Sequence, residues 1–268
     1  MKVKALECIG KKQIIMSEFE KPKVEYGCML LKILSCGICG TDLHGIEGKR
    51  DVAYPFIPGH EIVAVVEEIG KNAEKTIKVF GADKLKTGMK VTINPRIVCN
   101  HCFFCKEMPQ DPQKCLNALT ATSIGSDKPP HIFGGFAEYL YVLPGSEIIA
   151  IDQKTDILIG ALIEPFSCGI GLVDRHKRFY NAISGNGFQI VEPVVVYGTG
   201  AIGMLMIAAF KTAGAENIIA VDTSEERLQL SREFGANHTI NVSETDSAYR
   251  TKQIRKITEI GAGIAVES

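Results

Sequence analysis

The sequence predicts an α/β protein in two parts, and three observations carry that prediction. Residues 1 to about 155 are densely punctuated by Gly and Pro and read as short strands joined by turns. Near Asp156 the texture changes to apolar residues at helical spacing. Further on, the almost wholly apolar stretch Pro193 to Tyr197 runs into a glycine-rich turn and then a helical pattern, as expected of a buried parallel strand feeding a helix. The expected architecture is a β-rich barrel or sandwich over 1–155 and a doubly wound parallel sheet over 156–268. A chain of 268 residues is long enough for two such domains.

In order, the first strand read is Met29 to Ser35, entered from the turn residues Val24 to Gly27. Glu61 to Glu68 is the next and ends at Gly70, and Lys90 to Ile93 and Ala137 to Leu143 follow. Ile157 to Ile163 and Cys168 to Val173 carry helical spacing. Asp174 to Glu192, rich in Asn, Gly and charge, reads as a polar loop. Pro193 to Tyr197 is then a strand and Ala201 to Thr212 a helix, with Gly214 as its stop. Ile218 to Val221 is a second buried strand, and Ser224 to Phe234 a second helix capped by Thr223 or Ser224. Ile264 to Val266 begins another strand, two residues before the chain stops. A full doubly wound domain has two βαβαβ halves, and each further unit needs roughly 30 residues. The second domain is therefore expected to be partial, lacking its C-terminal half.

Composition excludes some classes of function. A formal net charge of -1 gives no global pull toward nucleic acid or anionic lipid. The longest apolar run, Ala201 to Phe210, is far too short to span a bilayer, and the N-terminal MKVKALECIG lacks the apolar core of a secretory signal. Nine cysteines, an odd count, fit reduced thiols and metal ligands better than a disulfide framework, so a cytoplasmic protein is expected.

Three clusters carry chemistry. In the turn Gly198-x-Gly200-x-x-Gly203, the first glycine suits a tight turn, the second lets backbone approach a pyrophosphate, and the third lets helix pack on strand. Ala201 and Ile202 open the helix, whose free N–H groups and partial positive charge suit phosphate. Asp222, at the end of the next strand, is placed to accept from ribose hydroxyls and to repel a 2′-phosphate, which favours NAD over NADP. Arg227 argues the other way but lies inside the following helix. The second cluster is Cys99, Cys102, Cys105 and Cys115, four thiolates able to close a tetrahedral zinc site and leave no position open. A redox dithiol is the alternative, and His101 is a bystander. The third is Cys39 with His60, a thiolate and an imidazole separated by a turn-rich stretch. A catalytic zinc needs a third ligand, for which Glu61, Glu164 and Cys168 are candidates.

Jointly, Cys36-Gly-Ile-Cys39-Gly-Thr-Asp-Leu-His44, Gly59-His60-Glu61, the four-cysteine lobe, Glu164-Pro165, Gly198 to Gly203 and Asp222 give a chain that resembles the medium-chain, zinc-dependent alcohol dehydrogenases over nearly its whole length. It resembles most the polyol, butanediol and threonine dehydrogenase branch, because Glu164-Pro165 stands where ethanol-type members carry a cysteine. The resemblance implies a GroES-like catalytic domain over 1–155, a Rossmann NAD-binding domain over 156–268, one catalytic and one structural zinc, NAD, and a homo-oligomer, dimer or tetramer. It implies that Cys39, His60 and Glu164 hold the catalytic zinc, with Glu61 as an alternative or exchanging ligand. Thr41 would take the substrate's hydroxyl proton and pass it toward His44, and Asp42 would orient His60. The implied reaction is hydride transfer between a small secondary alcohol or polyol and NAD, with no nucleic acid or membrane partner. Ile46, Tyr54 and Phe56 are expected to line the substrate pocket. The gap between Cys105 and Cys115 and the 175–192 segment are longer than the family pattern. The competing reading is a non-catalytic, zinc-stabilised nucleotide-binding protein or an inactive fragment. A zinc-free quinone or enone reductase is disfavoured by the cysteine lobe and Gly59-His60-Glu61.

Overall fold

The computed structural model describes residues 1–268 apart from 110, 121–122, 185–189, 191, 244 and 260. They form two compact units, Met1–Glu164 and Pro165–Ser268.

The first unit contains β1 (Lys2–Gly10), β2 (Gln13–Glu20), β3 (Met29–Gly37), α1 (Gly40–Ile46), β4 (Glu61–Ile69), α2 (Ala73–Thr76), β5 (Lys78–Phe80), β6 (Lys90–Ile93), β7 (Arg96–Ile97), α3 (Phe103–Glu107), β8 (Leu119–Thr120), β9 (Tyr139–Val142), β10 (Glu147–Ala150) and α4 (Ile157–Ala161). β1 and β2 form an antiparallel hairpin, and a six-stranded sheet runs in the order β5-β10-β6-β4-β3-β9. That sheet is covered on both faces, and the period of two along its strands divides the core. Met29, Leu31, Leu140 and Val142 enter one cluster with Ile62, Ala64 and Val91. Leu30, Tyr139 and Tyr141 enter the other with Val3, Ala5 and Ile57. Burial on both faces is why the strands read as continuous apolar runs.

The β3–β4 ladder fixes the site. Its register shifts twice, at Leu30/Leu31 and at Ile33/Ser35, and ends with Cys36 opposite Ile62 and Gly37 opposite Glu61. The C-terminal end of one strand therefore lies against the N-terminal end of the other. Cys39, two residues beyond β3, comes next to His60, one residue before β4.

Helix α5 (Ile163–Ser184) opens at the boundary between the units. The sequence reading ended this helix at Val173 and made Asp174 onward a loop, but the helix continues to Ser184. Asp174 and Arg178 mark a solvated face of it, as their exposed ion pair at i,i+4 shows. The rest of the expected loop falls largely on residues 185–189 and 191, outside the described residues.

The second unit continues with β11 (Val194–Tyr197), α6 (Ala201–Thr212), β12 (Ile218–Asp222), α7 (Glu225–Glu233), β13 (His238–Asn241), α8 (Ser247–Thr258) and β14 (Ile264–Glu267). All four strands pair in parallel, in the order β13-β12-β11-β14. Val194, Val196, Ile218 and Ala220 pack on one face with Ile207 and Phe210 of α6 and Leu228 of α7. Val195, Ile219 and Val221 pack on the other with Ile254 of α8. The sheet is thus wound on both faces, and the strand order reverses at β11. In such sheets the crevice beyond the carboxyl ends of the strands at the reversal is the ligand-binding position. Ser224 caps α7, its side chain accepting from Arg227 N–H, and Thr223 does not.

Candidate metal centres and dinucleotide turn

Cys39 is the N-cap residue of α1, and Asp42 is its third helical residue. The Asp42 carboxylate accepts from Cys39 N–H (2.9 Å) with one oxygen and from Gly59 N–H (2.9 Å) with the other. The oxygen bonded to Gly59 also lies 3.3 Å from His60 Nδ1. One carboxylate thus ties the start of α1 to the Gly59-His60 turn. Burial alone would raise its pKa, but the hydrogen bonds from His60, Cys39 and Gly59 outweigh burial and hold it below the ordinary value. The same contact pushes His60 up to about 9, against a smaller opposing effect of burial.

With Nδ1 facing a carboxylate, the neutral ring carries its proton there and leaves Nε2 open. Nε2 lies 3.3 Å from the Thr41 hydroxyl. One donor atom from each of Cys39, His60 and Glu61 lies within 4.8 Å of the others. A thiolate, an imidazole and a carboxylate at that separation fit a zinc ion that keeps a position open.

Glu61 reaches the group because Gly37 faces it across the ladder: a Cβ at Gly37 would collide with the Glu61 carboxylate. Gly37 is a residue of the site that sequence reasoning missed; its signal was its place between Cys36 and Cys39. Glu164, expected beside Cys39 and His60, stands outside the tight group, although its charge acts on both His60 and Glu61. Burial raises the carboxyls of Glu61 and Glu164 alike. Burial likewise pushes the neighbouring Cys36 thiol up to about 12. Three carboxylates around one imidazole make a site that favours a cation. Cys168 is exposed on α5 and outside the group. His44 is exposed, one turn beyond Thr41 along α1. Of the expected pocket residues, Phe56 is 2% exposed and its backbone bridges to Cys8. Tyr54 spends its hydroxyl on the Gly45 carbonyl at 3.0 Å.

Cys99, Cys102, Cys105 and Cys115 form the second group, all four sulfurs within 4.8 Å of one another. Cys99 Sγ lies 3.5 Å from Cys115 Sγ and 3.9 Å from Cys105 Sγ. Tetrahedral zinc with bonds of about 2.3 Å places its sulfurs about 3.8 Å apart, so the spacing fits. Backbone N–H groups of Cys102, toward Cys99, and Cys99, toward Cys115, lie 3.4 Å from sulfur, and Asn117 Nδ2 lies 3.7 Å from Cys99 Sγ. Hydrogen bonding, first from the backbone at His101, brings the Cys99 thiol down to about 5, whereas burial and its sulfur neighbours push Cys105 up to about 12. Four thiols so close lose protons unequally, and only a cation lets all four ionise together. His101 bonds to the Cys99 carbonyl through Nδ1, as a bystander would.

In the second unit the three glycines of the turn differ in their surroundings. Gly198 has φ +84°, where only glycine is unstrained. A Cβ at Gly203 would collide with the Gly198 carbonyl oxygen. Gly200 has no positive φ, and a Cβ there would meet nothing within 4 Å. Nothing in the chain itself demands glycine at 200, and the open space in front of it, at the N-cap of α6, fits a pyrophosphate brought close to backbone N–H groups. Asp222 sits behind this turn. Its oxygens accept from Thr199 N–H (2.6 Å) and Ser224 N–H (2.9 Å). Burial would raise Asp222, but the bonds from Thr199 and Ser224 hold it below the ordinary value. Oδ1 also accepts from the Thr223 hydroxyl at 3.5 Å, which leaves Oδ2 as the oxygen with room for a further donor such as a ribose hydroxyl. Arg227 is exposed on α7.

A zinc-competent open site, a closed four-thiol lobe and a dinucleotide-type turn on a parallel sheet define a metal-binding dehydrogenase class. Residues 25–153 match the alcohol dehydrogenase GroES-like domain and residues 201–268 the zinc-binding dehydrogenase domain. The chain belongs to the zinc-dependent, medium-chain alcohol dehydrogenase family. It is 31% identical over 252 residues to an alcohol dehydrogenase of Geobacillus stearothermophilus, covering 91% of this chain and 64% of that one. It is 28% identical to a sorbitol dehydrogenase of Bacillus subtilis, covering 94% and 65%. Among solved structures, an alcohol dehydrogenase from Thermotoga maritima superposes with a TM-score of 0.86 at 28% identity, covering 100% of this chain and 71% of that one. The chain thus spans just under two-thirds of the length of those two curated relatives.

Proposed function

We propose that the protein is an NAD-dependent zinc dehydrogenase that oxidises a small secondary alcohol or polyol. The observation that carries this reading is the Asp42–His60 pairing, which leaves His60 Nε2 open beside Thr41, in a residue grouped with Cys39 and Glu61. In this reading Cys39, His60 and a carboxylate, Glu61 or Glu164, hold one zinc, and the four-cysteine lobe holds a second, structural one. When bound, zinc supplies Lewis acidity at the substrate hydroxyl and the nicotinamide takes up the hydride. Thr41 accepts the hydroxyl proton and hands it on toward His44, which is exposed to solvent. Gly198, Gly200, Gly203 and the first N–H groups of α6, at Ala201 and Ile202, cradle the pyrophosphate. Asp222 accepts from the adenosine ribose and disfavours a 2′-phosphate. Nine thiols, four of them gathered for a metal, suit a reducing compartment, so the cytoplasm is the proposed location. Among the described residues no helix is long and apolar enough to cross a membrane. A homo-oligomer, dimer or tetramer, completes the reading.

The test is NADH formation at neutral pH with a panel of diols, sugar alcohols and threonine. Turnover that is lost in Cys39→Ser, with the fold retained, is the expected result. NADH binding without oxidation of any alcohol would instead favour a nucleotide-binding protein.

A further inference from the structure

We propose that Arg50 is an anion-binding group at the substrate site, so that the preferred alcohol carries a carboxylate or a phosphate. This rests on the dehydrogenase reading, because it takes Thr41 as the residue facing the reacting hydroxyl. Arg50 Nη1 lies 3.4 Å from the Thr41 carbonyl oxygen, and the side chain is exposed. Thr41 in turn places its own hydroxyl 3.3 Å from His60 Nε2. The carbonyl and hydroxyl oxygens of one threonine are only about 3–5 Å apart, so the guanidinium stands within about 8 Å of the position where an alcohol would be deprotonated.

Arg50 is also uncommitted. Among the described residues no carboxylate lies within ion-pair distance of it, Asp51 included. Among the described residues its one hydrogen bond is the long one to Thr41, and the other donors of its planar fork can take two oxygens of an anion side by side. The surroundings reinforce it. The hairpin turn is tied to α1 by Lys12 N–H to the Ile46 carbonyl (2.7 Å), which sets Lys12 beside the helix end. Glu47, the acid nearest that end, is paired with Lys49 at 2.6 Å. Its carboxyl is held below the ordinary value by Lys49 first and by Lys12 and His44 further off. The local acid is therefore already paired, and Arg50, together with Lys12, is cationic charge left over near the Thr41 end of α1. A neutral polyol offers it nothing that water does not. An anion a few bonds from the carbinol, as in a hydroxy acid or a polyol phosphate, would gain a charge-assisted, bidentate contact.

The experiment is calorimetric titration of the zinc-loaded full chain with sorbitol, gluconate and sorbitol 6-phosphate at one ionic strength. At least one anion should bind about tenfold more tightly than sorbitol, and whichever does so separates the carboxylate from the phosphate source. Arg50→Ala should bring that ratio to near unity, Arg50→Lys should keep part of it, and Lys23→Ala, a control for general surface charge at an exposed lysine with no ion pair among the described residues, should leave it in place. Equal affinities for all three in the wild type, or a ratio unmoved by Arg50→Ala, would overturn the proposal. Oxidation of neutral polyols with no anion preference would remove this inference and leave the dehydrogenase reading standing. Arg50-dependent anion binding without turnover of any alcohol would do the reverse.

Discussion

Asp42 holds three groups at once: the N-cap residue of α1, the Gly59 turn and the His60 ring. Replacing it with Ala frees the imidazole to change tautomer and leaves two backbone N–H groups without an acceptor. We expect zinc affinity at the open site to fall about 10–100-fold, measured by competition with a chelating dye. The same pairing sets a pH dependence. His60 in the zinc-free protein has its pKa raised from 6.5 to about 9. The stabilisation from the charged pair is therefore complete below about 6.5 and is lost as pH rises through about 9. Zinc takes only the unprotonated ring, so its affinity should climb over the same interval and level off above it, which titration at several pH values would show. At this scale the ligand types were legible in the sequence, since Cys39 and His60 announce themselves by chemistry. The choice of nearest carboxylate was not, because it depends on a missing side chain at Gly37 and on a register that shifts twice along β3.

The turn between β11 and α6 separates two roles that the glycine motif merges. Gly203→Ala forces helix and strand apart, and we expect a loss of several kcal/mol, read as a lower denaturation midpoint. Gly200→Ala adds a methyl where no protein atom lies within 4 Å. It should leave that midpoint within about 0.5 kcal/mol while weakening NADH binding at least tenfold by fluorescence titration. Equal stability losses for both would contradict the division. This element was legible because strand, turn and helix each follow their own local rule, and β11 to β12 fell where the pattern put them. α5 was misread because charge was taken for loop when it marks a solvated helical face. The β1–β2 hairpin went unread because β2 is exposed along much of its length, so its residues show no buried alternation.

At the scale of the whole molecule, the metal-competent groups and the dinucleotide-type turn fall in different units. Both metal-competent groups lie in Met1–Glu164, and the glycine turn with Asp222 lies in Pro165–Ser268. Purified protein should hold about two zinc per chain by elemental mass spectrometry, and Cys39→Ser about one. A strong chelator should raise amide exchange around residues 96–120, where the lobe has few apolar contacts of its own, and leave the strands of the parallel sheet protected. Loss of protection in both units at once would mean that the lobe supports more than its own segment. The change of texture near Asp156 led to an expected boundary at 155/156, whereas the two compact units meet at Glu164/Pro165, because α4 packs with the first unit's strands. The sixfold strand order of the first sheet was not legible, because non-local pairings leave no trace in a local pattern.

The four-thiol lobe acts, finally, as a gauge of ionic radius. Its sulfurs stand 3.5 and 3.9 Å apart, with backbone N–H groups directed at Cys99 and Cys115. A larger soft cation would have to spread them against those bonds, and a hard one would find no oxygen to bind. The selectivity of this segment among the metals of its surroundings is therefore set by peptide geometry, and a cell exposed to heavy metals would meet that gauge each time the chain folds.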